Sequence, residues 1–586
     1  MKRVSLIAAL CALCYLAVLP VTAAVAAPAA SSAATTYQGS PGSAARLTQA
    51  ATVSSFPKVS SAFQNEGPQA FTPFRSPGGN DPAAASQTAQ APAMSANASV
   101  SATTSPASTS AGSGSRVTHN FNGVSDLDSD NLNGFAITPP DQGLCVGRDN
   151  TLSGHPNAVW EPVNIAARET TANGTLLRPD VNLATLFQDP FAEGDVRCLY
   201  DPGTQTFFFT EIGFPVATGP AADDNNNNTT ADVVVMNARG AAAYQFDTSL
   251  GGPSAGDCFG DQPKTGFDNN ALVISTDEYC GPTETNYEGA IVLAISKSQL
   301  VHEAANVNDS VLGPVALQGN PVVGLDPAIN AGGGISYFVN SVPFLANGDN
   351  NPVGNTLGVW TLRNDASVTS GHGSPVLHGT AIRSQPYAFP VPATSTGDGS
   401  TTTVNGSVIT SEAALNPDDS RMSGPVEVTR GAGGVQLTTA LDAAVTVKGS
   451  TTDAAAWFTV SPTFNRVVKQ GYVIAKGANL LYPAIQPQQF GPSEMVFTIT
   501  SATINPSAAF ATVGSGKITT VADGAGPHVS FSDAPPFNEP RWGDYSFVAL
   551  DPTGSGIWLA TEYIPPAASQ DPMDNWGTYV FEVSGH

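Results

Sequence analysis

Charge is scarce in this chain. Only 12% of the 586 residues are charged, and 23 are Lys or Arg. The formal net charge of −25 at pH 7 therefore reflects missing cations rather than acidic blocks. Nucleic acid is not expected as a partner, because phosphate binding needs clustered cations. An anionic membrane surface is excluded for the same reason. Past the N-terminus no stretch is long and apolar enough to span a bilayer, so no membrane insertion is expected of the mature chain. Helical periodicity is nearly absent, and only Ser296 to Ala305 is expected to form a short helix. Signatures of nucleophilic, zinc-protease and phosphate-binding chemistry are also missing. The seven His are scattered, and no Gly-x-Ser-x-Gly elbow sits beside a helix.

What is present begins with Met1-Lys2-Arg3, an apolar run from Val4 to about Leu19, and an Ala-rich exit through Ala26. A basic start, a short apolar core and small residues at the exit predict a secretory signal peptide over residues 1–26. Residues 27–116 are rich in Ala, Ser, Thr, Pro and Gly. Such a segment buries too little surface to offset its ordering entropy and reads as a disordered stalk. Cys is scarce: of six, Cys11 and Cys14 fall in the leader, leaving Cys145, Cys198, Cys258 and Cys280. In an exported chain these suggest two disulfides, with three connectivities open. Pairing Cys258 with Cys280 closes a short loop within one repeat, and Cys145 with Cys198 then ties two neighbouring repeats.

From residue 117 to 586 the texture is all-β, with short strands between Gly, Asn, Asp and Pro turns. One pattern returns. Asp195-Val196-Arg197-Cys198-Leu199-Tyr200-Asp201 leads to Phe207-Phe208-Phe209-Thr210-Glu211. Asp261-Gln262-Pro263-Lys264 leads to Leu272-Val273-Ile274-Ser275-Thr276-Asp277-Glu278-Tyr279. Asp544-Tyr545-Ser546-Phe547-Val548 leads to Ile557-Trp558-Leu559-Ala560-Thr561-Glu562-Tyr563. Short strands recurring at roughly 40–65 residues predict the blades of a single β-propeller. Seven units can be counted, with six or eight as the alternatives. The Thr/Ser/Gly-rich stretch between Gly373 and Gly434 reads as a surface excursion.

The ordered motifs resemble a family. Pro139-Pro140-Asp141-Gln142-Gly143-Leu144-Cys145-Val146-Gly147 is similar to the opening segment of a set of exported bacterial proteins, mostly of uncharacterised function. Val196-Arg197-Cys198, Asp261-Gln262-Pro263-Lys264, Tyr482-Pro483-Ala484-Ile485, Asn505-Pro506-Ser507 and Arg541-Trp542-Gly543-Asp544-Tyr545-Ser546 match later motifs in order. The resemblance implies a sialidase-like β-propeller outside the cell and carries no biochemical role with it.

Arg541-Trp542-Gly543-Asp544-Tyr545-Ser546 is the densest polar and aromatic cluster. It offers Arg541, Trp542, Asp544 and Tyr545 as ligand-binding candidates, with Trp542 as a sugar platform or as packing between blades. Glu211, Glu278 and Glu562 end equivalent strands. Glu278, Glu562 or Asp544, with Arg541, are the catalytic candidates if paired carboxylates hydrolyse a glycoside. A sialidase also needs clustered Arg, and Arg197, Arg466 and Arg541 are available. No clean Asp-box is present, and Asp551 to Trp558 is only a loose echo. Asp126, Asp128, Asp130 and Asn133 alternate like the oxygen ligands of a structural Ca²⁺ loop, although Asn131 stands where an EF-hand needs Gly.

The expectation is thus an exported, monomeric binding module for a glycan or a surface protein, without turnover. A sialidase-like glycoside hydrolase and an extracellular matrix component are the alternatives.

Overall fold

The computed structural model describes residues 34–45 and 115–584, except for 135–136, 150–154, 190–193, 214–228, 249–257, 281–285, 331, 343–352, 373, 398, 400, 405–406, 411–413, 432, 489–490, 531–539, 555 and 571–573. The expected leader and most of the stalk lie outside the described residues. Among those residues, no helix is long and apolar enough to cross a membrane.

The described chain is all-β and is built from successive four-stranded antiparallel meanders. The first unit comprises Cys145–Asp149, His155–Val163, Ala166–Thr171 and Val181–Asn182. The second comprises Gly194–Asp201, Thr206–Gly213, Thr230–Asn237 and Gly240–Asp247. The third comprises Cys258–Phe267, Ala271–Cys280, Asn286–Ser296 and Asn306–Leu317. The fourth comprises Asp326–Ile329, Ser336–Ser341, Val353–Arg363 and Val376–Ala388. The fifth comprises Val426–Gly431, Gly434–Val447, Ser450–Ser461 and Arg466–Val473, and it joins the fourth through the parallel pairs Ala328↔Val426 and Ile329↔Glu427. The sixth comprises Asn479–Gln486, Glu494–Ser501, Ile504–Thr512 and Ile518–Ala522. The last unit has Phe547–Leu550, Gly556–Tyr563 and Gly577–Ser584, and it takes its fourth strand, Val117–Ser125, from the other end of the body.

Consecutive units touch through their first strands, except that the second strand of the fifth unit meets the first of the sixth. The first strand of the last unit returns to that of the first, so the series is cyclic. Apolar clusters fill the seams. Trp160 and Phe187 of the first unit pack with Phe207 and Phe209 of the second, and Phe208 and Tyr244 of the second pack with Leu272 and Leu293 of the third. Strands covered on both faces need no polar alternation, which is why Thr206–Gly213 and Gly556–Tyr563 are buried throughout.

A kink recurs within or just before the first strands of several units. Asp195, Gln262, Gly324, Tyr482 and Gly543 all have positive φ, at 53°, 47°, 59°, 50° and 41°. Strand register shifts beside three of them, at Gly194/Arg197, Asp261/Lys264 and Leu481/Ala484. For residues other than Gly this conformation costs about 1–3 kcal/mol and persists only where surrounding structure fixes it. The bulges re-aim the side chains on either side of each kink.

Of the three connectivities, the one present pairs Cys145 with Cys198 and Cys258 with Cys280. The first disulfide links the first strands of units one and two, and the second joins partners in one ladder. The expected helix is Lys297–Val301, with the Ser296 hydroxyl accepting from the Gln299 amide.

Two expectations need correction. Thr35–Gln38 and Ser40–Ala45, read as stalk, are strands that extend the outer edges of units four and three. Backbone pairing and the Tyr37 hydroxyl, which donates to the Ala316 carbonyl at 3.1 Å, supply what an apolar-poor segment lacks. The stretch 373–434 is more than a surface excursion. It holds the outer strand of unit four, the first strand of unit five, and the buried residues Asp419 and Arg421.

Candidate functional site

The kinks gather a buried polar cluster from several units. Asp141 precedes the first strand of unit one, Asp195 occupies the kink of unit two, and Asp544 follows the Gly543 kink of the last unit. Carboxylate oxygens of these three residues lie within 4.8 Å of one another. Gln142 fixes the seam by donating its amide to the Tyr545 carbonyl at 3.0 Å.

Cations thread the same region. Arg541 donates to both Asp544 oxygens at 2.7 and 2.9 Å. The Arg197 guanidinium lies 3.5 Å from the Tyr545 ring centre, and its Nε donates to the Pro263 carbonyl at 3.3 Å. Arg421 pairs with Asp418 at 2.7 Å and Asp419 at 2.6 Å, and stands 3.7 Å from Asp277. Lys264 donates to the Met422 carbonyl at 3.1 Å and stands 3.7 Å from Asp326.

Burial dominates the titration of the cluster, because removing water disfavours charge. Burial and the neighbouring Asp544 and Asp195 push the Asp141 carboxyl well above its usual range. Burial raises Asp195 as well, against the pull of Arg197. Asp544 is pushed up to about 6 by burial, despite Arg541. Asp418 behaves oppositely: burial raises it, but Arg421 and Arg541 outweigh that and hold it below the usual range. Burial lowers Lys264. The cluster is nearly sealed, and the Arg541 and Asp418 side chains, 25% and 27% exposed, are its contacts with solvent among these pairs.

The expected site residues are partly reunited. Arg541 and Asp544 form the anticipated pair. Trp542 is no sugar platform. It is fully buried, its indole N–H donates to the Thr498 hydroxyl at 3.2 Å, and it packs with Leu481, Tyr482 and Ile564. Tyr545 is also buried, beneath Arg197. The three-Arg clamp does not form: Arg197 stacks, Arg541 pairs with Asp544, and Arg466 lies on the outer strand of unit five.

Glu211, Glu278 and Glu562 do occupy second strands, all buried, but each has different neighbours. Glu278 accepts from the Thr276 hydroxyl at 2.5 Å, and burial pushes it up to about 8. Burial raises Glu211, with Asp232 and Asp189 adding to the shift. Burial raises Glu562 too, and its charged neighbours are Asp141, Asp544 and Asp574.

The expected Ca²⁺ loop is the α-helix Asp126–Asn133. Ser125 and Asp128 form a capping box, and Asp128 also stands 3.2 Å from Arg168. At about 100° per residue Asp128 points away from Asp126 and Asp130, so the side chains do not encircle one point. The Asp-box echo has a structural use. Asp551 accepts from the Thr553 amide at 2.7 Å and from the Trp558 indole at 3.3 Å, fixing a turn.

Sequence reasoning missed Asp141, Asp195 and Arg421 as site residues. Arg421 had a signal: three of the four residues Asp418-Asp419-Ser420-Arg421 are charged, in a chain where 12% are. Asp141 and Asp195 had none beyond their place in the repeat.

A second feature is open to solvent. Arg383, Trp457, Asn465, Arg466, Val467, Val468, Lys469 and Gln470 line a groove across the outer strand of unit four and the last two strands of unit five. Gly471 makes room for the Trp457 indole, since a Cβ there would stand 3.0 Å from its nitrogen. Gln385 ties the two outer strands together. Its backbone N–H donates to Gln470 Oε1 at 2.7 Å, and its side-chain amide donates to the Gly471 carbonyl at 2.8 Å.

No family model matches this protein, and no curated protein matches it. Among solved structures it is similar to Kuenenia stuttgartiensis hydrazine synthase, at 11% identity and a TM-score of 0.26, over 57% of this protein and 70% of that one. It is similar to a glycoside hydrolase at 10% identity and a TM-score of 0.27, over 56% and 87%. It is similar to the quinohemoprotein alcohol dehydrogenase of Comamonas testosteroni at 8% identity and a TM-score of 0.29, over 73% and 65%. Scores this low carry no argument about function, and no family match accompanies the sialidase-like resemblance.

Proposed function

We propose that the protein is an exported seven-bladed β-propeller that binds an acidic glycan without turning it over. The cyclic series of four-stranded units, closed by a strand from the opposite end of the body, supports the blade count. The two disulfides suit an oxidising, extracellular location.

One observation carries the binding reading. In a sequence with 23 cationic residues, Arg383, Arg466 and Lys469 stand exposed around one half-buried indole, Trp457, and no carboxylate is among the groove's lining residues. Guanidinium groups take a sugar carboxylate in a bidentate way, and an aromatic face suits the apolar side of a pyranose. Asp141, Asp195 and Asp544, in contrast, are buried among the described residues, which disfavours their contact with a polysaccharide. The reading therefore favours retention over hydrolysis.

The test is calorimetric titration of the purified protein with uronic-acid oligosaccharides and their neutral counterparts, with product analysis on every binder. Binding of the acidic series is expected, with a loss of about 10-fold or more in Trp457→Ala and in Arg466→Gln/Lys469→Gln. Binding unchanged in those variants, or hydrolysis abolished by Glu562→Gln, would overturn the reading.

A further inference from the structure

We propose that Asp141, Asp195 and Asp544 hold one divalent cation, a calcium ion, at the seam where the last unit meets the first. The inference stands apart from the glycan groove and uses none of its residues.

Geometry comes first. Ligand oxygens on opposite sides of a calcium ion stand about 5 Å apart, twice its bond length of about 2.3–2.6 Å. Three carboxylate oxygens that all lie within 4.8 Å of one another fit around one calcium sphere. The donors are hard oxygens, with no His or Cys among them, which also selects this class of ion.

A second observation points to the same missing charge. Glu562 sits on a neighbouring strand and is 3% exposed, and among the described residues neither of its carboxylate oxygens has a hydrogen-bond partner. Its leading charged neighbours are Asp141 and Asp544, so it faces the cluster. Gly543 gives it the room: a Cβ at that position would stand 2.6 Å from Glu562 Oε2. Asp141 Oδ1 is likewise buried without a partner among the described residues. A buried carboxylate with no donor is strongly unfavourable, and crowding it against like charges makes it more so.

The local cations do not balance the account. Arg541 serves Asp544, Arg197 is stacked on Tyr545 beside Asp195, and Arg421, which also acts on Asp195 and Asp261, is itself paired with Asp418 and Asp419. Asp261, also buried, adds another carboxylate to the region. Each carboxylate oxygen has two acceptor sites, so the bonds from Arg541 leave Asp544 free to ligate. A divalent ion would neutralise the excess, and its ligands come from units one, two and seven. It would clasp the ring where the first and last units meet.

The experiment is metal analysis of the purified full-length protein after dialysis against calcium, followed by terbium titration read through tyrosine-sensitised luminescence. One calcium per molecule is expected, with terbium emission that calcium displaces. Asp195→Asn is expected to lower affinity about 100-fold or more, whereas Asp128→Asn, in the N-terminal helix, leaves it unchanged. Should Asp195→Asn not fold, the wild-type protein decides: a saturable rise in Tm with calcium, reversed by EDTA, is the expected result. No bound calcium, no terbium emission and no calcium-dependent Tm shift in the folded wild type would overturn the proposal. So would loss of binding in Asp128→Asn with Asp195→Asn unaffected.

Discussion

Gly543 shows how one residue sets the local architecture. Its φ of 41° and its closeness to Glu562 both forbid a side chain. Gly543→Ala should lower stability by about 1–3 kcal/mol. Gly514→Ala, at φ 85° with nothing nearby, isolates the backbone part of that cost. Urea denaturation of the two variants measures the difference, and equal losses would remove Glu562 from the explanation. Glu427 carries a pH prediction. Burial pushes it up to about 8 from an ordinary 4.5, so between those values the folded state holds more protons than the unfolded one. Stability from this group is therefore full below about pH 4.5 and is lost as pH rises towards 8, at about 1.4 kcal/mol per pH unit. The urea midpoint should fall between about pH 5 and about pH 8, and Glu427→Gln should flatten that fall. At this scale the sequence revealed the Arg541–Asp544 pair because its members are three residues apart. Asp141 and Asp195 join them only across units, a proximity that no local pattern encodes.

Elements were legible where covering on both faces left a mark. Buried second strands read as continuous β-former runs, and their terminal acids recur because the units do. The Ca²⁺ reading failed for a reason of local chemistry. Alternating Asp suggests a loop, but Ser125 with Asp128 three residues later caps a helix, and that pattern outranked the alternation. The segment 35–45 was illegible because strand addition at an open edge uses backbone groups, which composition does not display. The closing strand gives a prediction at this level. Val117–Ser125 runs antiparallel to Gly577–Ser584, and the Ser584 amide donates to the Arg116 carbonyl at 2.8 Å. A permutant that begins after the Asp126–Asn133 helix and joins residue 584 to 115 by a short turn should retain a cooperative thermal transition. Deleting 115–125 should instead leave three strands in the last unit and abolish a cooperative thermal transition. A deletion variant as stable as the parent would refute closure by this strand.

For the whole molecule, scarcity of cations is the informative property. It argues against nucleic acid as a partner, and it gives weight to the places where cations gather. One gathering, Arg197, Arg421 and Arg541, is spent on buried carboxylates and rings. The other, Arg383, Arg466 and Lys469, remains open to solvent. The repeat made the succession of β units readable from the sequence. The groove was not readable, because Arg383 lies in one unit and Trp457 in the next. The disulfides add about 3–4 kcal/mol each by the loop lengths of 53 and 22 residues they close.

The most direct measurement is hydrogen–deuterium exchange of the full-length protein with and without a saturating uronic-acid oligosaccharide. Protection confined to peptides covering Arg383, Trp457 and residues 465–470 is the predicted result. Protection centred on Asp418, Arg541 and Asp544, with the outer strands unchanged, would place the ligand at the sealed cluster and contradict glycan binding at the groove.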